Sequence, residues 1–325
     1  MIISKTPFRI SFFGGSTDYP QWYLKNKGMV ISASINKYSY IVLKELAPIF
    51  KYKYRLRYFH REETKNIESI KHNSVRECLK FMKVKKRLDI VHFSDLPAAT
   101  GIGSSSAFTV GLLNALYKLK GKSVSKKRLY KEAIYIEQKM IKENVGSQDQ
   151  VATSVGGLNI INFRKKKIIV KKLFNYKLTN QINRNSVLIY SGIQRSSNNI
   201  TSDIIKNMHK NKNYIEKIYK NCERGKKEMS KKKIKINIIG KLMHEQWNLK
   251  KKLSRKISNN TINKIYNKAI KYGAYGGKIL GAGGGGFVFM VCPKSKITSI
   301  KKKFKDQIID FKFENKGSII INSLF

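Results

Sequence analysis

Apolar residues along the chain recur with two periods. In Ser4-Lys5-Thr6-Pro7-Phe8-Arg9-Ile10-Ser11-Phe12-Phe13 they alternate roughly every second position and stop at Gly14-Gly15-Ser16-Thr17-Asp18-Tyr19-Pro20, which predicts a strand entering a loop. Val30 to Leu46 and Tyr52 to Phe59 are rich in Ile, Val, Tyr and Phe, and predict further strands of an antiparallel sheet. Ile67, Ile70, Val75 and Leu79 fall at helical spacing between Asn66 and Met82, and Leu88 to Phe93 reverts to a strand pattern. Phe108 to Leu119 and Lys126 to Lys142 read as helices, and Leu158 to Phe163, Ile168 to Leu173 and Ser186 to Ser191 as strands. Glu143 to Gln150, between helix and strand, is polar and reads as a loop.

Beyond Ser191 the pattern lengthens. Ile200 to Arg224, Ile234 to Lys256 and Thr261 to Tyr272 predict long amphipathic helices with basic faces. A glycine stretch, Gly276 to Gly286, then leads to a strand from Phe287 to Cys292, a helix near Ile297 to Ile309 and a last strand from Ser318 to Asn322. The shift in character places a domain boundary near residue 185, with a strand-rich first half and a helix-rich second.

Between the Leu88 strand and the Phe108 helix lies Pro97-Ala98-Ala99-Thr100-Gly101-Ile102-Gly103-Ser104-Ser105-Ser106-Ala107. A loop feeding a helix N-terminus offers unpaired N–H groups and a partial positive charge, a natural phosphate cradle. The same residues also suit an ordinary capped helix, and the stretch matches neither a Walker A loop nor a dinucleotide fingerprint. Gly281-Ala282-Gly283-Gly284-Gly285-Gly286 formally satisfies Gly-x-Gly-x-x-Gly but runs into a strand where a dinucleotide fold needs a helix. Close backbone approach to a ligand explains so many glycines better than a plain hairpin.

Charge changes the picture in one respect. The chain has 67 Lys and Arg against 20 Asp and Glu, a net +47. Such a field attracts nucleic acid non-specifically. The lysines, however, are spread through runs such as Lys165-Lys166-Lys167, Lys231-Lys232-Lys233, Lys250-Lys251-Lys252 and Lys301-Lys302-Lys303, without a zinc finger or an aromatic RNA-binding motif, and read as solvated faces. Three scattered cysteines, Cys78, Cys222 and Cys292, form neither a disulfide framework nor a metal spacing, pointing to a reducing cytoplasm, and no apolar run is long enough to span a bilayer.

Among the scarce acidic residues, Asp18 and Asp149 lie beside glycine turns. Phosphoryl transfer needs a carboxylate near the accepting hydroxyl, ligands for Mg²⁺ and cations against the migrating charge. Asp149, Glu137 with Ser105, and Arg9 suit these roles; a turn aspartate, an exposed helix glutamate and a surface strand arginine are the plain alternatives. The five histidines lie apart, and His244-Glu245-Gln246-Trp247-Asn248 lacks the second histidine of a zinc helix.

With its three glycine loops in this order, the chain resembles the GHMP family of small-molecule kinases, named for galactokinase, homoserine kinase, mevalonate kinase and phosphomevalonate kinase. Pro7 to Tyr19 is similar to the family's first motif, Pro97 to Ala107 to its phosphate-binding second, and Lys278 to Gly286 to its third. The resemblance implies an α+β fold of two domains: an N-terminal ATP-binding domain with a left-handed crossover, over residues 1–185, and a C-terminal ferredoxin-like α/β domain, over 186–325. It implies ATP along Pro97, Thr100, Gly101, Ile102, Gly103, Ser104, Ser105 and Ser106, with Mg²⁺ on Ser105 and Glu137. Asp149 matches the catalytic aspartate and Arg9 the sugar-kinase arginine beside it. The interval from Glu137 to Asp149 is one residue longer than in mevalonate kinase.

Gly15 and Ser16 stand where galactokinases carry Glu and His, which argues against galactose. Gly14 to Pro20 and Tyr190 to Ser196 are instead similar to kinases of D-glycero-D-manno-heptose 7-phosphate, with the fucokinase domain next. That implies a cytoplasmic enzyme, monomer or homodimer, whose partners are ATP and a sugar phosphate rather than a specific nucleic acid or a membrane. Arg9, Gly15, Ser16, Asp18, Asp149, Arg195, Gly283 and Gly284 would meet the sugar.

Overall fold

The computed structural model describes residues 1–165, 167–173 and 176–323; Lys166 of the first basic run lies outside the described residues. The first strand, β1 (Ile2–Phe13), is long because its alternation is uninterrupted, and from Thr6 onward it is buried. After one short helical turn, α1 (Pro20–Tyr23), the chain enters β2 (Gly28–Glu45), which runs antiparallel to β1 with Arg9 opposite Ser34. Bulges at Pro7/Phe8 and Ser11/Phe13 flank Arg9, local twists of the kind that aim side chains beside functional sites.

β3 (Tyr54–Arg57) and β4 (Arg61–Thr64) form a hairpin, and α2 (Asn73–Phe81) connects it to β5 (Leu88–Ser94). β3 pairs with β5 in parallel, so the sheet is mixed where wholly antiparallel pairing was expected. The helix expected from Asn66 begins only at Asn73, because the Glu62 carboxylate accepts the N–H groups of Lys71 and His72 at 2.6 and 3.1 Å and holds that segment extended.

α3 (Ser104–Leu119) packs on β1 and β2. α4 (Lys126–Tyr135) continues into a π-turn, Ile136–Met140, where one continuous α-helix was expected. Residues 143–150, expected as a loop, contain the start of α5 (Gln148–Val155). β6 (Leu158–Phe163) and β7 (Ile168–Lys172) extend the first sheet from β2, before α6 (Tyr176–Arg184).

β8 (Ser186–Tyr190) opens a second sheet. The helix expected over 200–224 is two, α7 (Asn198–Lys206) and α8 (Lys212–Met229); the apolar phase runs through the break, but the Asn211 side chain turns away to donate to Leu253 O at 2.9 Å. α9 (Ile236–Lys251), α10 (Asn260–Lys271), β9 (Gly276–Ile279), β10 (Phe287–Val291) and α11 (Lys294–Phe304) follow. The sheet order is β8-β10-β9, and an antiparallel bridge from Ile308 to Ile189 adds the trace of a fourth strand beside β8, the connectivity of a ferredoxin-like domain.

β11 (Ile319–Ser323) returns to pair with β1. The proposed boundary near residue 185 thus falls between the sheets, with the last strand on the first-domain side of it. One apolar core joins the halves: Phe12 of β1 meets Phe289 of β10 edge to face at 5.5 Å. Among the described residues no helix is long and apolar enough to cross a membrane.

Candidate active site

Arg9 is 2% exposed despite its charge. Its Nε and Nη2 donate to the two carboxylate oxygens of Asp149 at 2.7 and 2.6 Å, and Nη1 donates to Gly101 O at 2.6 Å. Asp149 lies in the first turn of α5, where the helix dipole favours a carboxylate. The pair therefore ties β1, α5 and the glycine turn before α3 together.

Gly103 caps α3 at φ +76°, and a Cβ there would lie 3.3 Å from Arg9 Cγ and 3.4 Å from Asp149 Oδ2. Only a residue without a side chain brings the helix N-terminus this close to the carboxylate. Gly281 repeats the logic: its Cβ would lie 2.6 Å from Gly101 Cα, so the second and third glycine loops touch backbone to backbone. These surfaces line a cavity of about 1030 Å³, to which Gly15, Ser16, Asp18, Pro97, Gly101 and Gly103 to Ser106 contribute.

Ser105 and Glu137, expected together at Mg²⁺, both line this cavity, and the serine hydrogen-bonded to Glu137 is the next one along. Ser106 Oγ, not that of Ser105, donates to Glu137 Oε2 at 2.9 Å. Ser105 lies one step around the first turn of α3 and is exposed, whereas Ser106 is buried. Glu137 sits in the π-turn, a locally widened helix. Gln150 also donates to Oε2, while Oε1 is buried without a partner. Burial, reinforced by Glu143, pushes the Glu137 carboxyl up to about 8.

Asp18 is buried too, with Oδ1 unpartnered. Burial first, then the charge of Asp149, raises it from 3.8 to about 6. Between those values the folded state holds a proton that the unfolded chain has released, so stability falls as pH rises through that window. Asp18→Asn is therefore expected to stabilise the ligand-free protein at pH 7.5 by up to about 3 kcal/mol and by little at pH 4. Thermal unfolding at the two pH values checks this; equal shifts at both would contradict it.

Four expected contacts lie elsewhere. Thr100 and Ile102 are buried scaffolding: the Thr100 hydroxyl donates to Pro97 O at 2.7 Å, and Ile102 O accepts the Arg9 N–H at 3.0 Å. Gly283 and Gly284 do not line the cavity, which Gly281 and Ala282 reach instead. Gly283 packs against Ile257, and Gly284 is engaged within its own domain, its N–H donating to Ile257 O at 2.7 Å and its carbonyl accepting from Asn259.

Two lysines without an expected role meet the cavity, Lys250 of a basic run and Lys278 at the start of the third motif. Lys250, at the end of α9, and Lys278, on β9, are 5% and 2% exposed and line the cavity with Arg195. Lys250 donates to Gly281 O, and Lys278 donates to Ser11 O at 3.0 Å. Burial, with neighbouring cations, lowers both, Lys278 to about 8. The helical phase held a signal: Ile239, Met243, Gln246 and Lys250 share the buried face of α9. At the far end the cavity is aromatic. Phe59 and Phe93 stand exposed there, and His72 stacks on Phe108 at 4.6 Å. Burial lowers both His72 and His92, the latter to about 4, so the rings are neutral at pH 7.

The cavity thus joins a helix N-terminus, a carboxylate held by a guanidinium, buried cations and an aromatic end. The model of the GHMP kinases N terminal domain matches residues 73–157, and that of the GHMP kinases C terminal matches residues 230–310. The chain is 28% identical to a D-glycero-alpha-D-manno-heptose 7-phosphate kinase of Campylobacter jejuni, with 97% of each chain covered. It is 21% identical to a bifunctional fucokinase/GDP-fucose pyrophosphorylase of Arabidopsis thaliana, over 86% of this chain and 29% of that one. Its fold superposes on the crystal structure of a D-glycero-D-manno-heptose 1-phosphate kinase from Bacteroides thetaiotaomicron with a TM-score of 0.81, at 18% identity and full coverage of both chains. Matched in both halves and in this order, the chain belongs to the GHMP kinase family and is an enzyme, a kinase.

Proposed function

We propose that the enzyme transfers the terminal phosphoryl group of ATP to the anomeric hydroxyl of D-glycero-D-manno-heptose 7-phosphate, giving the 1,7-bisphosphate for nucleotide-activated heptose. The observation that carries this is the Arg9–Asp149 pair set against Gly103 at the N-terminus of α3, within one cavity. The likeness to the Campylobacter jejuni heptose 7-phosphate kinase supports the sugar, and the buried cations suit an acceptor that is itself anionic.

Asp149 accepts the proton of the attacking hydroxyl as the new oxygen–phosphorus bond forms and the bond from the γ-phosphorus to the β,γ-bridging oxygen breaks, releasing ADP. Arg9 fixes the carboxylate in both rotation and position, since two parallel bonds leave it one orientation. The first-turn amides of α3 hold phosphate oxygens, and Ser16 and Asp18 take sugar hydroxyls. The site fits Mg²⁺ through the unpartnered Oε1 of Glu137 and the hydroxyl of Ser106. Bound there with ATP, the ion would neutralise charge on the phosphate oxygens, and deprotonation of Glu137 would accompany its binding. The exposed rings of Phe59 and Phe93 suit a nucleotide base.

ADP release across a panel of sugars tests the assignment. Turnover is expected with heptose 7-phosphate and to be at least tenfold weaker with fucose. Equal rates on the two would refute the substrate, and salt-sensitive DNA retention without sugar-dependent turnover would refute the kinase assignment.

A further inference from the structure

The cavity holds more positive charge than the steps above use. Arg9 is committed to Asp149 and Gly101, and Lys278 is held by Ser11 O with Asp18 near it. Lys250 and Arg195 are left. The Lys250 ammonium is buried, lines the cavity and donates to one carbonyl, Gly281 O. After burial itself, its strongest electrostatic neighbours are Lys278, Arg195 and Arg9, ahead of the carboxylate of Asp18. Arg195 lines the same cavity; its Nη1 donates to Ser196 O at 3.1 Å, and its Nε is buried with no partner. A buried and a half-buried cation served by carbonyls, with like charges around them, are costly unless an anion completes the site.

We propose that Lys250 and Arg195 together seat the phosphate that the acceptor sugar itself carries, and that Lys250 thereby sets the preference for a phosphorylated over a free sugar. The inference rests on the kinase assignment above. The donor's phosphates have a receiver of their own in the first-turn amides of α3. A dianion entering between Lys250 and Arg195 meets a cation on either side. Arg195 offers a planar fork for two oxygens, and Lys250 a compact charge for the third.

The test compares the parent with Lys250→Met and Lys250→Arg. In the first arm, kcat/KM is measured on heptose 7-phosphate and on the same heptose without phosphate. Lys250→Met is expected to lower the ratio of the two about 30-fold, and Lys250→Arg to keep most of it. In the second arm, thermal unfolding is followed with inorganic phosphate and no nucleotide: phosphate should stabilise the parent and protect Lys250→Met markedly less, a comparison that also shows the variant to be folded. An unchanged ratio, with both sugars slowed equally and KM unmoved, would assign the ammonium to the migrating phosphoryl group and overturn the proposal. Equal protection by phosphate would overturn it as well. A parent without turnover on either sugar would refute the substrate assignment, and the phosphate arm would then decide on Lys250 alone.

Discussion

Asp149→Asn is expected to lower kcat by about 10²–10⁴-fold, the range over which a positioned proton acceptor acts. The substitution keeps the shape of the side chain but removes its basicity and one of its acceptors. Arg9 donates through Nε and Nη2 to two carboxylate oxygens; an amide can accept only one of these bonds and sets its own N–H₂ against the other donor. The carboxylate is part-exposed, at 24%, so water softens the mismatch and the fold survives. ATP is held in this scheme by the α3 turn, so its KM should move little. Steady-state kinetics on purified protein separates the parameters: near-normal kcat would remove Asp149 from the chemistry, and a raised KM for ATP alone would place it in nucleotide binding.

Arg9→Leu should cost both activity and stability. The substitution removes three hydrogen bonds and leaves the Gly101 carbonyl and Asp149 without their partner. Breaking a buried ion pair from one side costs about 3–5 kcal/mol; the partial exposure of Asp149 favours the lower end. Turnover should fall at least 100-fold, because the carboxylate loses the fork that orients it. Denaturant unfolding measures the first effect and kcat the second. Combined with Asp149→Asn, the loss should be less than additive, since either change breaks the same pair. Strict additivity would mean that the two residues act separately.

What the residues disclosed in advance depended on whether local pattern or tertiary contact decides. The long strands were legible because β1, β2 and β6 alternate or run apolar over many positions. The Arg9–Asp149 pair was reachable only through the motif resemblance, since 140 positions separate the partners. α5 was missed because Gln148-Asp149-Gln150 is polar: Asp149 serves the site, and Gln150 is buried to meet Glu137. The break between α7 and α8 was invisible because apolar residues keep helical phase across it, and a bond to Leu253, far along the chain, turns Asn211 aside.

The site shows the same division. Ser105 and Glu137 were paired by motif position and both line the cavity, while the hydrogen bond of Ser106 to Glu137 depends on which serine of the first turn faces inward and was not legible in advance. Gly283 and Gly284 carried the strongest glycine signal, but they do not line the cavity: Gly283 packs on Ile257, and Gly284 packs on Ile200 and on the Arg195 side chain that does line it. Lys250 stood in a triple-lysine run that composition assigns to solvent. Only its phase with Ile239, Met243 and Gln246 distinguished it from Lys251 and Lys252.

The most direct test of phosphoryl transfer at Asp149 to an anomeric hydroxyl is ³¹P NMR of the product formed from heptose 7-phosphate and ATP. A new phosphomonoester resonance coupled to the anomeric proton, appearing as the γ-phosphate signal of ATP declines, is the predicted result. A phosphate on another carbon, or γ-phosphate released as inorganic phosphate regardless of sugar, would contradict it.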